Sequence, residues 1–211
     1  MYAIGVEACK EMIVAACDAI IQNKPYLTEV DSKIGDGDHG IGMSGGMEKA
    51  KEALLAKDSF ASVNDIFKTT GMQMLNSMGG ASGVIFGSMF LGGIKGMEFV
   101  SELNGDVFTK MMRRSLEAIK DRGRAAVGDK TMVDALEPAV IAMEKLESDD
   151  LLLCMAKAAE AAGEGVEATK DMVAKFGRAK SLMERAIGFQ DAGATSVQII
   201  FEAMYQYLQH R

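Results

Sequence analysis

The run Asp31-Ser-Lys-Ile-Gly-Asp36-Gly-Asp38-His39-Gly40 puts three carboxylates within eight residues, two of them alternating with glycine. Glycine lets the backbone turn tightly enough for several side-chain oxygens to converge. Converging carboxylates repel one another unless a hard cation sits among them. Mg²⁺ suits such a set, because it takes few protein carboxylates and completes its shell with water and phosphate oxygens. A helix is expected to begin near Ile41 or Gly42, and its first amides face back into the acidic loop, as in an anion site. The segment also reads as a solvated acidic turn. An EF-hand is a poor match, because the twelfth loop position counted from Asp36 or Asp38 falls on Met47 or Lys49. His39 stands inside the loop and is expected to touch phosphate.

Three further segments share this glycine-rich, polar character. Met78-Gly-Gly-Ala-Ser82-Gly83 offers backbone amides and a hydroxyl without steric bulk, which suits either a phosphate or ribose cradle or a tight helix–helix turn. It is not a P-loop, since no Gly-Lys-Ser/Thr follows. Gly128-Asp129-Lys130-Thr131 joins an acid, a cation and a helix cap, with Asp129 itself a candidate cap. Gly177 to Ser196 carries Arg178, Asp191 and Gly193 in a connection long enough to fold over a ligand as a lid.

The elements that position these segments are helices. Apolar residues recur at helical spacing, as in Ile13, Ala16, Ile20 and in Met43, Met47, Ala50, Leu54, while alternation of period two is almost absent. The spacing predicts eight helices, at 3–22, 42–56, 62–78, 82–98, 105–122, 131–147, 149–176 and 194–209, with a capping box from Thr131 to Asp134. No linker or repeat interrupts residues 1–211, which predicts one all-α domain, an antiparallel up-and-down bundle. The glycine-rich junctions follow the first, third, fifth and seventh of these helices. In an up-and-down arrangement alternate junctions share an end, so all four are expected to meet. The methionines read as core filler.

A net charge of −7 argues against a nucleic-acid partner and against an anionic membrane surface. The apolar stretch from Gly83 to Ile94 is short of the roughly 20 residues a bilayer requires. Three cysteines without CxxC spacing, and no basic run preceding an apolar one at the N-terminus, suggest reduced thiols in a cytoplasmic protein.

Taken in register, the segments resemble the L subunit of dihydroxyacetone kinase. The residues that carry the likeness are Leu27-Thr-Glu-Val-Asp31 through Gly35-Asp-Gly-Asp-His-Gly40, Gly79-Gly-Ala-Ser-Gly83, Gly128-Asp-Lys-Thr-Met132, and Gly188 to Ser196. The resemblance implies an eight-helix antiparallel barrel closed at one end by ADP or ATP. It implies two Mg²⁺ ions on Asp31, Asp36 and Asp38, with His39, Gly40, Ile41 and Gly42 lining the phosphates. It further implies nucleotide contacts from Ala81, Ser82, Gly123, Met132, Arg178, Asp191, Ala192 and Gly193. The partners implied are a K subunit that carries a short ketose covalently and a phosphotransferase-system M subunit that rephosphorylates bound ADP; a homodimer is a further possibility. The sequence departs from the family at Gly42, where Asn is common, at Lys180-Ser181 in place of Ser-Tyr, at Phe189 in place of His, and at Ala192 in place of Pro.

The reaction expected is phosphoryl transfer to a ketose hydroxyl, which chiefly needs in-line positioning and charge neutralisation. No general base stands out in the chain. Two other readings compete: a nucleotide-binding regulator that contacts a transcription factor, and a metal-dependent hydrolase.

Overall fold

The computed structural model describes residues 2–211. Nine α-helices account for most of them: α1 (Val6–Gln22), α2 (Lys24–Ile34), α3 (His39–Leu55), α4 (Val63–Ser77), α5 (Gly80–Ile94), α6 (Gly105–Gly123), α7 (Val133–Leu146), α8 (Leu151–Ala168) and α9 (Ala192–Gln209). A two-residue antiparallel bridge, β1 (Ile4–Gly5) with β2 (Glu102–Leu103), is a small addition to the all-helical expectation.

Eight of the helices close a ring. Each of α3 through α8 packs on its successor, α3 packs on α1, and α9 returns to α1. Their inward faces share one core, in which Ile13, Ile20, Met43, Met47, Phe67, Phe90, Phe108 and Phe201 are fully buried. Most methionines lie in this core, as expected of an adaptable filler. Glycines set the closest approaches. A Cβ at Gly165 of α8 would collide with the Asp134 carbonyl of α7. That carbonyl is the one Pro138, lacking an N–H, leaves without its helical donor.

The helix α2 was not anticipated. Asp31 therefore lies in the last turn of a helix and not in the loop where the sequence reading placed it. Pro25 sits in the first turn of α2, where a missing N–H costs nothing. Leu27, Val30 and Ile34 form its buried stripe. Because α2 lies beside the start of α3, where Gly40 meets Thr28 and the Lys24 carbonyl, it does not become a ninth member of the ring. The alternation of the eight ring helices survives it. The helix expected over 149–176 ends at Ala168, and a 3₁₀ turn (Thr169–Asp171) follows. A second 3₁₀ segment, Arg178–Ala186, is broken at Met183, whose φ of 53° is left-handed.

The two ends of the ring are built differently. At one end the connections are stapled together by backbone bonds: Val63 N–H to Val100 O at 2.9 Å, Gly105 N–H to Asp149 O at 2.9 Å, and Leu151 N–H to Tyr2 O at 2.8 Å. The helices α4, α6 and α8 start here, each capped by its own side chain, from Ser62, Asn104 and Asp150. At the other end start α3, α5, α7 and α9. No helix among the described residues is long and apolar enough to cross a membrane.

Candidate functional site

The four glycine-rich junctions meet at this second end. The first touches the last through His39 Nε2 and Ser196 Oγ at 2.8 Å, and through Arg178 Nε and Asp36 Oδ2 at 2.8 Å. It touches the second through Met78, whose side chain lies over Gly42 and Gly46, and through the His39 and Phe86 rings, with centroids 5.9 Å apart. The second meets the third where Ile85 packs against Gly123 at the end of α6. The third meets the fourth where Met132 backs Gly193 and where Lys130 donates to the Phe189 carbonyl.

Asp31, Asp36 and Asp38 each present an oxygen, all within 4.8 Å of one another. Two local features make this possible. A Cβ at Gly35 would collide with the Asp31 carboxylate, and Gly37 has a φ of +78°, which disfavours L side chains. Asp31 accepts the His39 N–H at 3.3 Å, so it satisfies one open donor at the start of α3. Asp38 occupies the N-cap position of α3 without capping it, which leaves its carboxylate to face the other two. Burial pushes its pKa up, as do the charges of Asp36 and Asp31, while Arg178 pulls it down. A set of this kind suits a divalent cation. Oxygens bound about 2.1 Å from one Mg²⁺ lie no more than about 4.2 Å apart, so small side-chain rotations would bring the trio into range.

Helix starts supply the complementary charge. In α3 the amide of Gly42 already bonds the Asp38 carbonyl at 2.9 Å, so Gly40 and Ile41 carry the amides without a helical acceptor. The α5 start has Gly79 at its cap position and no side-chain cap, and Ala81 and Ser82 are exposed in its first turn. Gly80, with φ of +68°, turns the chain there. At α7 the Asp134 carboxylate accepts the Thr131 and Gly128 amides at 2.7 and 2.6 Å, the reach-back arm of the expected capping box. Asp129 is not the cap: it closes its own turn onto Ala126 N–H at 2.8 Å and pairs with Lys175 at 2.6 Å, and that ion pair, with the amide bond, holds its pKa below the usual carboxylate value.

At α9, Asp191 is the cap, accepting the Ala194 N–H at 2.7 Å. Burial nonetheless pushes its carboxyl up to about 7, against the pull of its backbone donors. Ala192 is buried and Gly193 half-buried beside it. His39 is more enclosed than its loop position suggested. Its ring bonds Ser196 and the Ala192 backbone, and burial pulls its pKa down despite Asp31 nearby. Arg178 is largely solvent-exposed beyond its pair with Asp36.

Two residues matter more than the sequence alone disclosed. Lys130, with only 2% of its surface exposed and φ of 60°, donates to three backbone carbonyls, of Thr169, Ala186 and Phe189. Ser196 is the fully buried partner of His39. Nothing in local spacing signals either pairing, since each spans a large sequence separation. A groove of about 690 Å³ between α6 and α7, crossed by the Arg113–Glu144 pair, has none of the four junctions in its lining.

Comparison with known proteins gives the family. The DAK2 domain model matches residues 33–206. The chain is 40% identical over 190 residues to the ADP-binding subunit DhaL of PEP-dependent dihydroxyacetone kinase 1 of Listeria innocua, covering 90% of each. It is 36% identical over 192 residues to the ADP-binding subunit DhaL of the PEP-dependent dihydroxyacetone kinase of Escherichia coli, covering 89% of this chain and 90% of that one. In fold it is similar to the dihydroxyacetone kinase of C. freundii solved with AMP-PNP and Mg²⁺, with a TM-score of 0.73 and 22% identity over 98% of this chain; it spans 35% of that longer protein. An eight-helix ring carries an acidic trio and glycine-rich junctions at one end, and the family match over residues 33–206 identifies the chain as a member of the DAK2 domain family.

Proposed function

We propose that this chain is the nucleotide-binding L subunit of a kinase for dihydroxyacetone or a related triose or tetrose ketose. One observation carries the reading: the uncapped starts of α3 and α5 and the three carboxylates converge on one end of the ring. Open helix amides attract phosphate, and carboxylates attract the cation that accompanies it. Together they describe a site for a magnesium-bound polyphosphate. Asp31, Asp36 and Asp38 would hold Mg²⁺, whose chemistry there is to neutralise charge on the transferring phosphoryl group. Amides of Gly40, Ile41, Ala81 and Ser82 would orient the phosphates, with Gly123, Met132 and the Asp191–Gly193 turn bordering the rest of the nucleotide. Arg178 stands where it can bind phosphate.

The ketose is assigned to a separate K subunit. The His39 ring is engaged by Ser196 of α9, and no other histidine adjoins the site. Exposed apolar residues rim the same end, among them Ile41, Phe176, Met183, Ile187 and Phe189, as a docking surface requires. The relatives named as PEP-dependent ADP-binding subunits support bound ADP recharged by a phosphotransferase-system M subunit as the donor. The test is a transfer assay with purified chain, a K subunit and each donor system in turn. Turnover is expected only with the K subunit, and with the M-subunit system as donor. Ketose phosphorylation by the chain alone would refute the partner, and turnover with free ATP would refute the recharged donor.

A further inference from the structure

We infer that Lys130 is a positioning residue that clasps the neck of the 170–188 segment and so holds it closed over the nucleotide; its second half rests on the function proposed above. The three carbonyls it binds come from the two ends of that segment. Thr169 O, at 2.7 Å, lies where the chain leaves α8. Ala186 O, at 2.9 Å, and Phe189 O, at 2.5 Å, lie where it returns towards α9. One ammonium therefore uses its three donors to draw departure and return together.

The neck has two supporting bonds, Gly188 N–H to Lys170 O at 2.7 Å and Asp191 N–H to Thr169 Oγ1 at 3.0 Å. Between these points the segment is mostly exposed and irregular, with a broken 3₁₀ stretch and little core of its own beyond Ala174 and Ala186 against Ile34. Away from the neck it is tied by Lys175 N–H to Asp129 O at 3.1 Å and by the Lys175–Asp129 and Arg178–Asp36 ion pairs, whose side chains are largely exposed on the segment's side. Lys130 belongs to the third junction, immediately before Thr131 and Met132, so the clasp also fixes the segment to the start of α7 and, through Met132, to Gly193. The residue accepts a left-handed backbone to reach this position, which for a non-glycine residue is uncommon. Buried ammonium groups ordinarily pair with a carboxylate; Lys130 instead spends its donors on three backbone carbonyls at a loop neck, one of which, Thr169 O, also accepts the Met172 N–H at 3.2 Å.

Lys130→Met tests this, because it keeps the length and apolar stem while removing all three donors. Without nucleotide, amide hydrogen exchange over 170–189 should quicken at least tenfold, with α4, α5 and α6 unchanged. Mg-ADP should dissociate at least tenfold faster at an unchanged association rate. Unchanged exchange over 170–189 would overturn the clasp, and so would equal quickening in α4–α6, since Lys130 would then be holding the whole fold. Local quickening with unchanged ADP release would uphold the clasp and overturn the placement of nucleotide beneath the segment. A wild-type chain that binds no Mg-ADP would refute the proposed function, while the exchange arm still judges the clasp. Should the variant not fold, the wild-type ¹⁵N ammonium signals decide: Lys130 should exchange its protons far more slowly than the exposed lysines, and equal rates would overturn the inference.

Discussion

Asp36 and Asp38 are exposed residues, so removing either charge takes away a proposed cation ligand without touching the core. Asp36→Asn or Asp38→Asn is expected to abolish Mg²⁺-dependent ADP binding, measured by titration calorimetry, with the helical circular-dichroism signal unchanged. Tight binding by either variant would refute the metal assignment. Asp191 gives a second expectation at this scale. Its carboxyl moves from 3.8, the ordinary value, to about 7 on burial. The folded chain thus holds a proton that the unfolded chain releases between those values, and rising pH costs stability across that window, with the cost complete above it. Asp38 acts with the same sign and His39 with the opposite one, so the test is a difference. Asp191→Asn retains a good cap, and its melting temperature should fall less than that of the wild type between pH 4.5 and 8. Parallel profiles would show that Asp191 is not protonated in the folded chain.

Helix contacts carry the expectations at the scale of elements. The approach of α8 to α7 depends on Gly165, because an added methyl would meet the Asp134 carbonyl, a rigid backbone atom. Gly165→Ala should cost about 1–3 kcal/mol, the range for overpacking, and lower the melting temperature by roughly 2–4 °C per kcal/mol. An unchanged melting temperature would mean that the helices slide apart at no cost. Asp134 also accepts the Thr131 and Gly128 amides, so a shift of α7 would disturb the junction that carries Lys130. The capping pattern differs between the two ends. Ser62, Asn104 and Asp150 close helix starts at the far end, whereas α3 and α5 keep theirs open where the acids gather.

Across the whole molecule, a ligand at the meeting point of four junctions binds only the closed ring and should stabilise all of it. With Mg²⁺ present and ADP at 100 times its dissociation constant, linkage adds about 2.7 kcal/mol, and the melting temperature should rise by roughly 5–11 °C for a chain of this size. ADP with a chelator should leave it unchanged. An equal rise without the metal would place the nucleotide away from the acidic trio.

Helical periodicity and junction composition determined the all-α class, eight of the helices and the shared end of four junctions, because these follow from local spacing and from the parity of an up-and-down chain; closure of the eight into a ring was implied only by the family resemblance. The Asp31, Asp36, Asp38 set was legible for the same reason: its acids and glycines are close in sequence. The short helix α2 was legible in principle from Pro25 and the Leu27, Val30, Ile34 stripe, but at 11 residues between two glycine-rich or polar turns it was read as loop. What only the tertiary structure decided are the pairings that span long separations. Ser196 meets His39, Arg178 meets Asp36, and Lys130 gathers three carbonyls from beyond α8. Side-chain type can state that an imidazole or ammonium needs partners, but only the closure of the ring brings α9 and the 170–188 segment back to the start of α3 and α7 to supply them.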